Sequence, residues 1–260
     1  MLNKEVGFIG GGRATRIILG GLKKAGAMPR RVVVSDRESG VLSQLKREHP
    51  EISTILGDNK QPASSRDIVF ISIHPPAFKS AAGEIKSLLN PASVIISLMA
   101  GVSIAELSEE LNGFKKIVRM VPNAPSIVNA GYNPVAFSKG IIDTERRELL
   151  DLFGILGACP VVAEDKLEAY AILTAMGPTY LWFQLYELER LGVLFGMTGQ
   201  EVEEGISEMV RGTVKTMHES SLSADEVMDL IPVKPLGDGE DKIIDLYRSK
   251  LEALYRRLKG

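Results

Sequence analysis

The sequence predicts an α/β first part, a mainly parallel sheet wrapped by helices, followed by an all-helical second part. Three observations carry this. Short β-branched runs alternate with helical patterns through the first half, the arrangement that builds parallel sheets. A glycine cluster follows the first of those runs. After Ala163 the helical period dominates and no strand-like run follows.

Taken in order, Val6 to Ile9, Arg31 to Ser35, Ile68 to Ile73, Val94 to Leu98 and Lys116 to Met120 read as strands. Between the first two, Ala14, Ile17, Ile18, Leu22 and Ala25 recur at helical spacing, and Gly26 stands where a left-handed C-cap is wanted. Ser103 with Glu106 is a capping box that opens a further helix. Val135 to Ser138 and Pro160 to Ala163 are weaker strand candidates flanking a helix from about Thr144 to Leu156. A long helix then starts at Glu164 or Asp165 and runs to Leu194, interrupted at Gly177-Pro178, because proline removes a donor and crowds the preceding turn. Thr198 with Glu201, and Ser223 with Glu226, are further capping boxes, and Ile243, Tyr247, Leu251, Leu254 and Leu258 line a last helix.

A chain of 260 residues exceeds the usual single domain, so the change of pattern is read as a boundary between residues 1–163 and residues 164–260. A net charge of −2 gives no reason to expect nucleic acid. The N-terminal apolar run is too short for a signal peptide, and the longer uncharged stretches are broken by Pro91 and by Gly177-Pro178, so neither export nor membrane insertion is expected. One cysteine, Cys159, and three scattered histidines form no metal site and suit a reducing cytoplasm. The broad apolar faces of the helical part either form an internal core or bury against a second copy.

Gly10-Gly11-Gly12-Arg13-Ala14-Thr15 follows a strand and opens a helix, where glycines let the backbone approach a pyrophosphate at a helix N-terminus. Thr15 fills the place of the usual third glycine or alanine. Asp36 ends the next strand at the distance where an acidic side chain takes up an adenosine ribose, so the first part is read as a Rossmann-type dinucleotide-binding domain. Asp36 favours NAD, whereas Arg37 beside it can pair with the extra phosphate of NADP, and Arg13 adds positive charge at the loop. The balance is tipped slightly to NADP, with plain solvent exposure as the other account of both arginines.

On Gly7-Phe8-Ile9-Gly10-Gly11-Gly12, Met99-Ala100-Gly101-Val102-Ser103, Arg119-Met120-Val121-Pro122-Asn123-Ala124-Pro125 and Gly177-Pro178-Thr179-Tyr180, the chain resembles the pyrroline-5-carboxylate reductases over nearly its whole length. The resemblance implies hydride transfer from a nicotinamide to a cyclic imine that carries a carboxylate, and a homodimer or higher homo-oligomer assembled through the C-terminal helices. It implies that Asn123 orients nicotinamide or imine, the alternative being an Asx-turn between two prolines. It also sets His74-Pro75 and Ala100 beside the nicotinamide half of the cofactor. Histidine replaces the family's lysine there, as a donor or proton relay or as a loop residue that fills space.

The second part departs from the pattern. Thr174-Ala175-Met176-Gly177-Pro178-Thr179 stands for a serine-glycine-serine-glycine-proline-alanine turn. Ile231 to Asp238 replaces a loop whose double glycine and threonines would cradle the carboxylate. Thr174, Thr179 and Lys234 are the candidates to compensate, Lys234 being otherwise a solvated loop lysine. The expected protein is an NAD(P)H-dependent reductase of a small cyclic imine, in proline biosynthesis, or of a related imine or ketone. A non-catalytic or repurposed NAD(P)-binding protein of the same fold is the alternative. A deazaflavin-linked reductase would share the glycine loop but not the helical half.

Overall fold

A computed structural model describes residues 3–259. Its main sheet is made from β1 (Glu5–Ile9), β2 (Arg31–Asp36), β3 (Ser53–Leu56), β4 (Ile68–Ile71), β5 (Val94–Ser97) and β6 (Ile117–Met120), with β7 (Gly131–Tyr132) outside it and β8 (Val135–Phe137) closing its edge. The order is β3-β2-β1-β4-β5-β6-β8, parallel except for β8 against β6. The chain leaves β1 in one direction and later returns to its other side with β4. That reversal opens a crevice at the carboxyl ends of β1 and β4, the place where open α/β sheets bind ligands.

Side chains alternate across the strands, so each face has its own core. Val6, Phe8, Val32 and Val34 are buried on one face, and Ile9, Val69, Ile71 and Ile95 on the other. Phe8 stacks on Phe70 of the neighbouring strand with ring centroids 4.5 Å apart. The helices that cover the sheet are α1 (Arg13–Lys24), α2 (Ser39–Glu48), α3 (Lys60–Ala63), α4 (Phe78–Ile85), α5 (Ile104–Glu110) and α6 (Asp143–Gly154). Gly26 caps α1 in the left-handed region, and the Ser103–Glu106 capping box is formed. Gly7 is required by packing: a Cβ there would lie 1.7 Å from the Pro62 carbonyl oxygen.

Two elements differ from the expectation. Pro160 to Ala163 is not a strand. The pairing falls instead on β9 (Gly157–Ala158) against β7, and Val161 makes an isolated bridge to Val135. Pro160 has no N–H to donate, so it can accept from Val135 but cannot extend a ladder. In addition, β3 is a short edge strand whose ends, Ser53 and Leu56, are exposed; it carries little of the apolar alternation that marks the others.

The chain forms two compact units. One runs to Met176 and takes in the chain again from Leu254; the other is Gly177–Ala253. The division falls beyond residue 163 because Leu167 and Ala171 are buried with Val121 and Ala136 of the sheet side. In the first unit, α7 (Leu167–Tyr170) passes into a π-helical turn, Ala171–Ala175, in which the Met176 N–H reaches the Ala171 carbonyl at 3.0 Å. The expected interruption before Gly177-Pro178 is thus a widened turn.

The second unit holds α8 (Pro178–Leu194), α9 (Gly199–Glu219), α10 (Ala224–Asp229) and most of α11 (Glu240–Lys259). Gly192 lets α8 and α9 approach closely, since a Cβ there would meet Val202 Cγ2 at 2.7 Å. Tyr180 and Tyr247 contact edge to face at 5.8 Å. The Thr198–Glu201 and Ser223–Glu226 capping boxes are both formed.

Candidate active site

The glycine loop turns at Gly10, whose φ of +99° lies in the left-handed region that favours glycine. The Gly10 N–H donates to the Ser35 carbonyl at 2.8 Å, and the buried Thr15 hydroxyl donates to the Gly10 carbonyl at 2.6 Å. Threonine therefore takes the third-glycine place without opening the loop, because its hydroxyl closes it. Gly12 is the N-cap of α1, no side chain caps the helix, and no acidic residue lies in its first turn. A Cβ on Gly12 would meet nothing within 4 Å. The first-turn N–H groups thus face an open, anion-favourable helix end that suits a pyrophosphate.

A cavity of about 680 Å³ opens there. Gly11, Gly12, Arg13 and Ala14 form one side, and Ser72, His74 and Pro75, from the carboxyl end of β4, form another. Arg13 and His74 are exposed, while Arg16 is drawn off by a bidentate pair with Glu48 at 2.9 and 2.5 Å. That pair holds the Glu48 carboxyl below its usual range, the Arg16 hydrogen bond being the largest cause. The buried Ser72 Oγ has no partner within the protein and lies in the cavity wall, so it is available to a ligand. Asp36 sits at the end of β2 with its carboxylate on the loop: Oδ2 accepts from the Gly11 N–H at 2.7 Å and Oδ1 from the Glu38 N–H at 2.9 Å.

A second cavity, of about 1120 Å³, shares Pro75, Ala100 and Leu258 with the first. Its wall includes Gly101, Arg119, Glu164 and Glu168. The buried Arg119 donates to Glu168 at 2.6 Å and to Glu164 at 3.1 Å. Those carboxylates in turn accept backbone N–H groups, Glu168 from Gly101 at 3.3 Å and Glu164 from Ile104 at 2.6 Å. Burial alone would raise the Glu168 carboxyl, but the hydrogen bond and charge of Arg119 outweigh it and hold Glu168 below the ordinary range. The network thereby pins the Ala100-Gly101 turn between the two cavities. Leu258, near the end of α11, forms the opposite lip, its carbonyl oxygen 3.5 Å from where a Gly101 Cβ would stand.

The expected site residues are brought together only in part. The glycine loop, His74, Pro75 and Ala100 line the first cavity, and Asp36 grips its rim. Arg37 is exposed and makes no ion pair among the described residues. Asn123 is buried and lines neither cavity. Its Oδ1 accepts the Tyr132 N–H at 3.0 Å, and its own N–H donates to Asn133 Oδ1 at 3.1 Å. It thus clasps the 123–133 loop across nine residues, which is a wider closure than an Asx-turn. Thr174 spends its hydroxyl proton on the Tyr170 carbonyl at 2.7 Å. In the second unit Thr179 is exposed, and Lys234 borders an apolar cavity of about 610 Å³ with Met217, Ile231, Val233 and Ile243. Among the described residues no group of three or more His, Cys, Asp or Glu side chains is placed to hold a metal ion, and no helix is long and apolar enough to cross a membrane.

Sequence reading missed Ser72, the Arg119–Glu168 network and Leu258. Arg119 stood inside a quoted motif, and Glu168 follows it at helical spacing from Glu164, so the network had a faint signal. Leu258 had none.

This fold and this cleft define an NAD(P)-dependent oxidoreductase. A family model described as "NADP oxidoreductase coenzyme F420-dependent" matches residues 5–101, the glycine-loop half alone. Across both halves the chain is 27% identical to the pyrroline-5-carboxylate reductase of Escherichia coli, over 88% of this chain and 85% of that one. It is 24% identical to that of Methanosarcina acetivorans over 98% and 94%. The solved pyrroline-5-carboxylate reductase of Coxiella burnetii superposes with a TM-score of 0.69 at 26% identity, covering 99% and 95%. That of Plasmodium falciparum, described with NADP bound, superposes at 0.81 with 21% identity, covering 100% and 98%, a likeness of fold. Over nearly its whole length the chain is thus similar to pyrroline-5-carboxylate reductases.

Proposed function

We propose that the protein reduces the carbon–nitrogen double bond of a small cyclic imine, 1-pyrroline-5-carboxylate or a related imine or ketone, at the junction of the two cavities. The observation that carries this reading is the shared wall of Pro75, Ala100 and Leu258, which makes a dinucleotide-sized crevice continuous with a second chamber. A bound nicotinamide supplies the hydride. The chain's own residues bind and orient: the α1 N-terminus and Arg13 hold the pyrophosphate, Asp36 the adenosine ribose, and Ser72, His74 and Ala100 border the nicotinamide half. An imine carbon is already electrophilic, so alignment accounts for most of what the protein must add.

In this reading Asn123, which lines neither cavity, is a positioning residue whose oxygen holds the 123–133 loop through the Tyr132 N–H. Thr174 spends its hydroxyl proton on the Tyr170 carbonyl, and Lys234 is a candidate point-charge partner for a carboxylate, with Thr179 the other candidate. The helical part after residue 163, most of it the second unit Gly177–Ala253, acts as the substrate and dimerisation part. A homodimer or higher homo-oligomer is supported by the exposed apolar side chains of α8 and α9, among them Phe183, Tyr186 and Leu194 on α8 and Met209, Val214 and Met217 on α9. A cytoplasmic location goes with this reading, as does a place in proline biosynthesis. The deciding experiment is oxidation of NADH or NADPH by the purified protein on adding pyrroline-5-carboxylate. Turnover on that imine supports the reading. Cofactor binding with no turnover on any imine favours a repurposed dinucleotide-binding protein, to which the altered loop Ile231 to Asp238 points.

A further inference from the structure

We propose that Arg257, in the last turn of α11, is the partner of the substrate carboxylate in the second cavity. The inference rests on the reading of the two cavities as cofactor and imine sites, and it fills the carboxylate-binding role that the altered loop Ile231 to Asp238 leaves open.

The cavity of about 1120 Å³ is walled from the first unit, which takes in the chain again from Leu254. The last turn of α11 forms one side of it through Arg257, Leu258 and Lys259, and Ala100-Gly101 forms another. That turn is held in place on either side of Arg257's neighbour. The Leu258 carbonyl oxygen lies 3.5 Å from where a Gly101 Cβ would stand, and the Lys259 ammonium donates to the Asp165 carbonyl. Arg257 therefore projects from anchored backbone beside the turn that both cavities share.

The other cations of this wall are already engaged. Arg119 is buried, with its two terminal nitrogens on Glu168 and Glu164. Lys259 serves Asp165 and lies 5.9 Å from the Tyr255 ring centroid. Arg257 is exposed and makes no ion pair or hydrogen bond among the described residues, not even with Asp165 of the same wall. Its planar fork matches the two oxygens of a carboxylate, which the point charge of a lysine does not. Lys234, moreover, borders the separate apolar cavity of the second unit.

The acidic groups of the wall decide what else the bound molecule must carry. Glu106 is spent on the Ser103 cap, whereas Glu164 and Glu168 are two carboxylates around one guanidinium and leave an excess of negative charge. A polyanion would meet repulsion there. A molecule with a carboxylate for Arg257 and a protonated ring nitrogen for the acidic side answers both signs, which is the charge pattern of a protonated cyclic imino acid. The buried Arg119 Nε has no acceptor within the protein, a second mark of a wall completed by a polar ligand.

The test compares 1-pyrroline-5-carboxylate with 1-pyrroline, the same ring without the acid, as substrates of the purified full chain at saturating reduced cofactor. In Arg257→Gln the ratio of kcat/KM for the acid to kcat/KM for the bare ring should fall about tenfold or more, through a higher KM for the acid. Arg257→Lys, which keeps the charge but not the fork, should recover part of the loss. An unchanged ratio in Arg257→Gln, or a preference of the unaltered chain for the bare ring, overturns the proposal. Where the bare ring does not react, the rise in KM for the acid and its partial reversal in Arg257→Lys are the readout, and their absence overturns it. If the unaltered chain reduces neither ring, the reading of the reaction fails separately, and calorimetric binding of L-proline in the presence of cofactor decides for Arg257. Binding lost in Arg257→Gln keeps the assignment; equal binding by both proteins, or binding by neither, overturns it.

Discussion

Phe8 and Phe195 are the same side chain in opposite situations. Phe8 is fully buried and stacked on Phe70, whereas Phe195, at the end of α8, is 75% exposed. The contrast holds for their regions. Up to Met176 the large apolar residues are mostly interior to a sheet with two sealed faces. Between Gly177 and Ala253 the one large apolar side chain that is fully buried, among the described residues, is Val202. A region whose sheet is covered on both faces completes its core alone. A region whose faces stay open does so only with something to cover them, and a second copy of the chain is the cover proposed above.

The comparison breaks most severely at Gly7. Gly7→Ala drives a Cβ into the Pro62 backbone, which cannot yield as a side-chain tip would. A loss of about 3 kcal/mol or more is expected, read as an early denaturant midpoint by circular dichroism. Next is Arg119→Met, which strands Glu168 as a buried unpaired carboxylate, with an expected cost of about 3–5 kcal/mol in thermal or chemical unfolding. The pH dependence follows from the same pair. The Glu168 pKa is lower folded than unfolded, so its contribution is fully present above the unfolded value of about 4.3 and is lost as pH falls through the folded value. The unaltered protein should therefore lose stability on the acid side of that value more steeply than Arg119→Met does. A parallel loss in both would remove Glu168 as the cause.

In the open region the expected effect is small on folding and large on assembly. Phe195→Asp should change the stability of an isolated chain by within about 0.5 kcal/mol, as exposed substitutions do. Light scattering should show it shifted to monomer if the face is covered by a second copy, and an unshifted mass would detach this face from assembly. The smallest effect is at Cys159, whose thiol burial pushes up to about 12. It should resist alkylation at pH 8 in the folded protein and react once the chain is unfolded. Rapid labelling without unfolding would show that the first unit is less sealed than Phe8 implies.

The legible features were those whose physics is local. Capping boxes at Ser103, Thr198 and Ser223 need only a hydroxyl and a carboxylate three residues apart, and all three form. The glycine loop needs a strand before and a helix after, and the β-branched runs show both. Less legible was β3, because an edge strand with exposed ends lacks the apolar alternation that betrays its neighbours. The strand expected at Pro160 misjudged a segment that accepts a bond but cannot donate one. Asn123 stands out in the sequence between two prolines, yet its partner Tyr132 is found only once the loop has closed. Arg119 and Glu168 lie far apart in sequence and meet through tertiary packing, which spacing does not encode.

Leu258 carries that last point into the order of synthesis. The strands that form the crevice at β1 and β4 are complete by Phe137, and they can emerge from a ribosome and pair while the rest of the chain is still being made. The lip that Leu258 supplies to both cavities belongs to a helix translated long afterwards. A nascent chain can therefore hold its glycine loop in shape well before the wall facing it exists. The cleft is finished by the contact of longest sequence separation along its rim, and that contact, on loop-closure grounds, is among the last to form.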